Sequence, residues 1–162
     1  MSGSVSRPWC IGYHGAALRD NEPDLLGQSV GHIKIVDVLS RGGMGTVYVG
    51  EDETLQRKVA VKAIHGPHRM HQQAKGRFLR EARILSQLNH HHICVVHDFI
   101  ETEESDYLVL ELVQGRNLRA AMRTQMSEQQ KFGIARQLLE VLAAVHEAGV
   151  VHRDLKPENI MV

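Results

Sequence analysis

The last residues of the chain combine side chains that could together carry out acid–base and metal chemistry. The run VVHRDLKPENIMV covers residues 150–162 and places a polar stretch between two apolar ones. Within it, Asp154 offers a base, Lys156 a cation and Asn159 an amide oxygen that can ligate a metal ion. A solvated polar loop is the alternative interpretation, but so dense a set of functional groups between VV and IMV argues against it.

A glycine-rich stretch, LSRGGMGTV at residues 39–47, lies between the first two predicted strands. Glycines let the backbone turn tightly and approach a phosphate with no Cβ in the way. A plain β-hairpin uses glycine for similar geometric reasons. The stretch alone therefore leaves both phosphate binding and a simple turn open.

Lys62 ends the run VAVK in the third predicted strand. Its neighbours Ala60 and Val61 indicate that the strand is buried at this point, and a lysine is rarely buried without a partner. Glu81, in the middle of the helix that follows, is the partner that the sequence offers. The alternative is a lysine that reaches solvent and an ordinary surface ion pair.

These groups must be positioned by a small sheet and a set of helices. Five β-rich runs predict five strands, and a 3.6-residue period in GRFLREARILSQL predicts a helix after the third of them. Residues 113–115 interrupt the pattern and predict a hinge. Ser127 and Gln130 predict a capping box at the start of a long helix, which Gly149 ends. Its predicted buried stripe consists of Ala135, Leu138, Leu139, Leu142 and Val145.

The composition is that of a soluble protein from a reducing compartment. The 162 residues carry 19 basic and 19 acidic side chains, which argues against a nucleic-acid binder with a broad basic surface. No apolar stretch is long enough to span a bilayer, and the N-terminal segment lacks the apolar core of a signal peptide. Because Cys10 and Cys94 form no CxxC pair, we expect no disulfide framework and a cytoplasmic location.

Taken in order, the glycine-rich loop, VAVK, a helical glutamate and HRDLKPEN resemble the eukaryotic-type protein kinase domain, and GGMGTVYVGEDETLQRKVAVK looks most like bacterial members. The resemblance implies an α+β, protein-kinase-like fold. A loose leader is expected over residues 1–30 and a kinase domain over 31–162. The expected parts of that domain are a complete N-lobe at 31–112, a hinge at 111–116 and an incomplete helical C-lobe at 117–162.

The resemblance also implies which residues serve the reaction. Asp154 matches the catalytic base, Lys156 the residue that steadies the transferred phosphoryl, and Asn159 an Mg²⁺ ligand. Lys62 matches the lysine that contacts the ATP phosphates, and Glu81 its ion-pair partner. The residues assigned to the nucleotide are Gly42, Gly43, Gly45, Val47, Ala60, Lys62, Glu81, Glu111 and Val113. Less specific matches are Leu110 at the back of the adenine pocket and Asn117 near the ribose.

The implied function is phosphoryl transfer from ATP, with Mg²⁺, to Ser or Thr hydroxyls of a protein substrate. Two features depart from the family pattern. Ser40 stands in the place of the first glycine of the loop, and no Asp-Phe-Gly or activation segment follows Asn159. We therefore expect a fragment of a longer kinase, or else a truncated protein, and in either case a chain that is inactive alone.

Three alternatives remain at the sequence level. A non-catalytic nucleotide-binding or scaffold module would bind ATP without turnover. A small-molecule phosphotransferase of related fold is disfavoured by DLKPEN. The histidines at residues 90–92 suggest a metal site, but adjacent histidines do not easily converge on one ion.

Overall fold

The structure, a computed structural model of the chain, describes residues 25–42, 45–64, 72–103, 105–152 and 155–162. Most of the predicted leader lies outside these ranges, as do Gly43 and Asp154. None of the described helices is long and apolar enough to cross a membrane. Cys94 is buried.

A six-stranded antiparallel sheet is the main element of the first part of the chain. Its strands are β1 (Ser29–Val30), β2 (Ile33–Gly42), β3 (Gly45–Asp52), β4 (Arg57–Ile64), β5 (Val96–Glu101) and β6 (Asp106–Glu111), in the spatial order β1-β2-β3-β4-β6-β5. The five predicted strands are all present, and β2, β3 and β4 form the predicted meander. The additional strand is β1, whose two residues are too few to show an alternating pattern in the sequence.

One face of this sheet packs a hydrophobic core. Side chains alternate between the two faces of a strand, so every second residue contributes to it. Full burial of an aliphatic or aromatic side chain stabilises a fold by about 1.5–3 kcal/mol, so this core contributes to the stability of the sheet. Its members are Leu25, Val30, Ile33, Ile35, Tyr48, Val59, Val61, Ala63, Tyr107 and Val109.

The helices are α1 (Gln72–Gln87), α2 (Leu118–Ala121) and α3 (Glu128–Glu147), followed by a 3₁₀ turn at Pro157–Asn159. The predicted capping box of α3 is confirmed. The Gln130 N–H donates to Ser127 Oγ at 3.2 Å, and the Ser127 N–H donates to Gln130 Oε1 at 2.9 Å. Gly149 follows the helix with a φ of 76°, the left-handed conformation expected of a residue that ends it.

The predicted buried stripe of α3 is only partly correct. Val145 is buried, but Leu139 is 68% exposed, and Val141, outside the predicted stripe, is 1% exposed. Val141 and Val145 are four residues apart and lie on one face of the helix. The packed face of α3 is therefore centred on these two valines. The prediction differed because apolar residues cover much of the helix surface, and their pattern alone does not tell which of them other elements cover.

The chain divides into two compact units. The sheet unit contains the described residues up to Leu79 together with Val95–Leu112. The helical unit contains Arg80–Cys94 and Val113–Val162. Helix α1 contributes to both units, and Ala82 and Leu85 are its buried residues in the helical unit.

Gly50 in β3 provides a test of the core packing, because the sheet leaves no room for a side chain there. A Cβ at this position would lie 2.4 Å from Ile33 Cγ2 and 3.0 Å from Val61 Cγ2. We predict that Gly50→Ala lowers the free energy of unfolding by about 1–3 kcal/mol, the usual cost of overpacking a core. Urea denaturation followed by circular dichroism measures the change.

Gly133→Ala in α3 is the matched control. No atom outside the helix lies within 4 Å of a Cβ at Gly133, and alanine is favoured over glycine inside a helix by about 0.5–1 kcal/mol. This variant should be at least as stable as the original chain. Equal stability of Gly50→Ala and the original chain would contradict the packing described around Ile33.

Candidate functional site

Four residues of the sheet unit with predicted roles at the nucleotide lie on one face of three adjacent strands. Ala60 and Lys62 are two residues apart on β4, so their side chains point to the same face. Val47 on β3 is directly opposite Lys62, and Leu110 on β6 is directly opposite Ala60. Partners directly opposite each other share a face. Because Val61, between Ala60 and Lys62, belongs to the core, these four residues occupy the other face of the sheet.

Lys62 is buried, with 8% of its surface exposed. Ala60 on the same face is 3% exposed, and Leu108, directly opposite Lys62 on β6, is fully buried. The prediction of a buried lysine is therefore confirmed. An ammonium group in such surroundings is costly unless it meets an anion, which makes Lys62 suitable for contacting phosphate oxygens. Its ion pair with Glu81 stays a prediction, since of Glu81 only the backbone, in α1, is described.

The strands β2 and β3 converge on the glycine-rich stretch. Gly42 and Gly45 are register partners at the ends of the two strands. Two register shifts in the middle of β2 interrupt its pairing with β3, and irregularities of this kind bend a strand and increase its twist. Gly43 lies outside the described residues, so phosphate binding by this stretch stays a prediction.

A polar cluster that the sequence analysis missed begins at the turn between β3 and β4. Asp52 is 1% exposed and accepts two hydrogen bonds, from the Leu55 N–H at 2.9 Å and from Arg57 Nε at 3.2 Å. The hydrogen bond from Leu55, assisted by Arg57 and His32, holds the pKa of the Asp52 carboxyl below its usual value even though burial opposes this shift. Asp52 therefore stays ionised and anchors Arg57.

Arg57 extends this cluster to β5. Its Nη1 lies 3.2 Å from His97 Nδ1 and 3.3 Å from His97 Nε2. Burial lowers the pKa of His97, and the charge of Arg57 lowers it further, whereas Glu111 and Asp52 act in the opposite direction. His97 is therefore neutral at pH 7 and can tolerate the neighbouring guanidinium.

Glu111, a predicted adenine contact at the end of β6, is held in place by Val95, the residue before β5. Its N–H donates to the Val95 carbonyl at 2.9 Å, and its Oε2 accepts from the Val95 N–H at 3.4 Å. The influence of Glu111 on the pKa of His97 links it to the polar cluster. No local sequence pattern predicts this cluster, because Arg57 and His97 are 40 residues apart.

In the helical unit, a short antiparallel pairing holds the end of the chain beside α2. The Arg116 N–H donates to the Val162 carbonyl at 3.1 Å, and the Val162 N–H donates to the Arg116 carbonyl at 2.8 Å. The Leu118 N–H donates to the Ile160 carbonyl at 2.6 Å. These three bonds position the 3₁₀ turn that precedes Ile160.

Asn117 lies inside this pairing and begins α2. Its Oδ1 accepts from the Ala120 N–H at 2.8 Å and so caps the helix. This contact uses the side-chain oxygen of Asn117 for a structural purpose. The predicted approach of Asn117 to a ribose stays a prediction, as do the roles of the half-buried Val113 and of the hinge that it begins.

Lys156 and Asn159 lie on a single turn of the helical unit. The Asn159 N–H donates to the Lys156 carbonyl at 3.0 Å, and both side chains are half-buried. An amide oxygen suits Mg²⁺, which prefers oxygen ligands and commonly takes only one or two of them from the protein, the rest coming from phosphates and water. Asn159 therefore fits a metal site that ATP would complete. The described residues contain no cluster of three or more His, Cys, Asp or Glu that could hold an ion without such help.

Of the three histidines at residues 90–92, His90 and His92 contact each other. The rings of His90 and His92 have centroids 5.7 Å apart and are tilted by 59°, and the His92 N–H donates to His90 Nδ1 at 3.2 Å. Burial, followed by the proximity of His90, lowers the pKa of His92. This backbone bond occupies His90 Nδ1, so this ring nitrogen is a poor metal ligand.

Comparison with known proteins identifies a protein kinase domain over most of the chain. The model of the protein kinase domain matches residues 33–162. The chain is 41% identical over 152 residues to a probable serine/threonine-protein kinase, pknA2, of Bifidobacterium longum, with 90% of this chain and 20% of that protein covered. It is 42% identical over 135 residues to the serine/threonine-protein kinase pkn2 of Myxococcus xanthus, with 82% and 16% covered.

The chain thus spans about a fifth of the length of these curated relatives. Among solved structures, the kinase domain of Mycobacterium tuberculosis PknI matches with a TM-score of 0.73 at 24% identity, covering 83% of this chain and 56% of that one. At this level of identity the likeness establishes the fold, a protein-kinase-like α+β fold, as the sequence predicted.

The polar cluster predicts a pH dependence of stability. The pKa of His97 is lower in the folded chain than its usual value of about 6.5, so the unfolded chain takes up the proton first. The contribution of neutral His97 to the free energy of unfolding should therefore be fully present above about pH 6.5. It should decrease as the pH falls toward the pKa of His97 in the folded chain. We predict that His97→Gln reduces this slope, as measured by urea unfolding between pH 7.5 and pH 5.

His146→Gln is the matched control, since His146 is exposed in the last turn of α3. That variant should keep the slope of the original chain. If His97→Gln also keeps it, the contact with Arg57 does not hold His97 in its neutral form.

Proposed function

Because the chain belongs to the protein kinase domain family, we propose that it is the nucleotide-binding and catalytic part of an ATP-dependent serine/threonine protein kinase. Such an enzyme transfers the γ-phosphoryl group of ATP to a Ser or Thr hydroxyl of a protein. The observation that carries this proposal is the burial of Lys62 on the sheet face that Val47, Ala60 and Leu110 share. The names of the bacterial relatives support serine and threonine as acceptors.

The sheet unit supplies most of the residues that bind the nucleotide in this proposal. Val47, Ala60 and Leu110 offer apolar surface to the adenine ring, and Lys62 offers its ammonium group to the α- and β-phosphates. Glu81 orients Lys62, and the loop of Gly42, Gly43 and Gly45 covers the phosphates through its backbone N–H groups. Backbone groups of Glu111 and Val113 hydrogen-bond the adenine edge. The bonds between Glu111 and Val95 support this last role, because they fix the end of β6.

The helical unit supplies the groups for transfer. Asp154 orients the acceptor hydroxyl and takes up its proton, and Lys156 stabilises the negative charge on the moving phosphoryl group. Asn159 holds a divalent cation, Mg²⁺ in our proposal, which when bound with ATP neutralises phosphate charge. Lys156 and Asn159 share one turn, and the hydrogen bond from the Asn159 N–H to the Lys156 carbonyl fixes their spacing. The even charge balance supports an enzyme without a nucleic-acid ligand, and we propose a cytoplasmic location.

Substitutions at Lys62 and Asp154 separate binding from transfer. In the full-length protein we predict that Lys62→Met weakens ATP binding about 10- to 100-fold, the scale of a lost hydrogen bond to a charged group. Asp154→Asn should leave ATP binding within a few-fold and reduce transfer by about 10²–10⁴-fold, as expected when a general base is removed. Calorimetry with ATP and Mg²⁺ measures the binding, and ³²P incorporation into a Ser/Thr protein substrate measures the transfer.

Lys58→Met is the matched control, because Lys58 lies on the same strand with an exposed side chain. This variant should retain both activities. Unimpaired phosphoryl transfer by the Asp154→Asn variant would contradict the proposed mechanism. ATP binding without transfer in the unsubstituted protein would instead identify the alternative, a non-catalytic nucleotide-binding module.

A further inference from the structure

Ser40 lies in β2, at the position where the kinase pattern has the first glycine of the phosphate-binding loop. A glycine offers a ligand no side chain, whereas a serine offers a hydroxyl that both donates and accepts hydrogen bonds. Among the described residues other than glycine, only Gln56 has a positive φ, so the backbone at Ser40 does not require a glycine. The sheet thus accommodates the serine without backbone strain, and the proposed function does not yet use its hydroxyl.

A register shift turns Ser40 away from the core of the sheet. Tyr48 belongs to the core, and Val38, directly opposite it, packs against that core. In a regular strand Ser40 would share the face of Val38, because side chains two residues apart point the same way. The pairing is shifted between Val38 and Ser40, so that Leu39 is an additional residue. One additional residue reverses the face of those that follow, and Ser40 is therefore opposite Val47.

This shift brings Ser40 to the sheet face that carries the proposed nucleotide site. Ser40 is directly opposite Val47, and Val47 is directly opposite Lys62. Residues directly opposite each other share a face, with Cβ atoms about 4.5–5.5 Å apart. The three side chains therefore form a row across β2, β3 and β4, with Val47 in the middle. The side chain of Ser40 is exposed, so a ligand bound on this face can reach its hydroxyl.

The position of Ser40 within the site corresponds to the sugar of the nucleotide. In the proposed function Val47 contacts adenine, and the loop of Gly42 and Gly45 covers the phosphates. Ser40 is adjacent to Val47 across the strands. It precedes Gly42 by two residues along β2, so their Cα atoms are at most about 7 Å apart. Because the ribose of ATP joins adenine to the phosphates, a side chain between these two contacts lies where the ribose is bound.

We propose that the Ser40 hydroxyl hydrogen-bonds a ribose hydroxyl of the bound nucleotide, so that the site prefers ribonucleotides to deoxyribonucleotides. This inference rests on the proposed function, because it takes Val47 as the adenine contact and the glycine loop as the phosphate contact. Both hydroxyl groups donate and accept hydrogen bonds, so they match in chemistry. A site that hydrogen-bonds a substrate hydroxyl discriminates against the analogue that lacks it. Ser40 is thus a specificity-determining residue of the nucleotide site.

The test is a double-mutant cycle between the protein and the nucleotide. Calorimetry measures the binding of ATP, 2′-deoxyATP and 3′-deoxyATP to the full-length protein with Mg²⁺. We expect the original protein to bind ATP about 3- to 10-fold more tightly than at least one deoxynucleotide, the scale of one hydrogen bond. Ser40→Ala should weaken ATP binding by about the same factor. It should bind that deoxynucleotide as tightly as the original protein does, because the hydrogen bond is absent from both complexes.

Two further variants assign the preference to the hydroxyl itself. Ser40→Thr keeps a hydroxyl at this strand position and should keep the preference for ATP. Ser29→Ala is the matched control, because Ser29 is an exposed serine of the same sheet. Ser29 pairs with Lys34 near the start of β2, whereas Ser40 lies near the end of that strand. This control should bind all three nucleotides as the original protein does, and circular dichroism confirms that each variant is folded.

The outcomes separate this inference from the proposed function. Equal binding of the three nucleotides by the original protein, or a preference lost in Ser40→Thr, would overturn the inference. An undiminished preference in Ser40→Ala would also overturn it and would assign the ribose to another residue, such as Asn117. ATP binding without phosphoryl transfer would overturn the proposed function, and the same binding constants would still decide the role of Ser40. Absence of ATP binding would overturn both.

Discussion

The burial of Lys62 is the constraint on which the proposed nucleotide site in the sheet unit depends. Lys62 keeps only 8% of its surface exposed, and an ammonium group in that position is tolerated only where the surroundings supply negative charge. The alternation of β4 places Lys62 on one face and the core residues Val61 and Ala63 on the other. A single strand thereby stabilises the fold and presents the cation that the proposed function needs.

The two described parts of the candidate site achieve rigidity by different means. In the sheet unit, strand register sets the positions of Val47, Ala60 and Leu110, since each is fixed by its partner on the next strand. In the helical unit, backbone bonds between the start of α2 and the last residues of the chain fix the turn that carries Asn159. In both units, main-chain hydrogen bonding sets the geometry, and side chains then supply the chemistry.

Local patterns in the sequence predicted much of this arrangement. Alternation identified five of the six strands, and the capping box placed the start of α3 at Ser127. The features that these local patterns did not predict depend on contacts between residues far apart in the sequence. The exposure of Leu139 and the burial of Val141 depend on which neighbours cover α3, and the contact of Arg57 with His97 joins two strands that are 40 residues apart. Such contacts leave no periodic signal, because neither residue type nor spacing encodes them.

The backbone bonds between α2 and the end of the chain have a consequence for the order of folding. The bond from Leu118 to Ile160 closes a loop of about 40 residues, and closing a loop of this length costs more conformational entropy than any contact within a helix. Helix α3 lies inside that loop and carries its own capping box, so its formation requires only local contacts. We therefore expect the turn with Lys156 and Asn159 to form after α3, which shortens the distance that the loop must close.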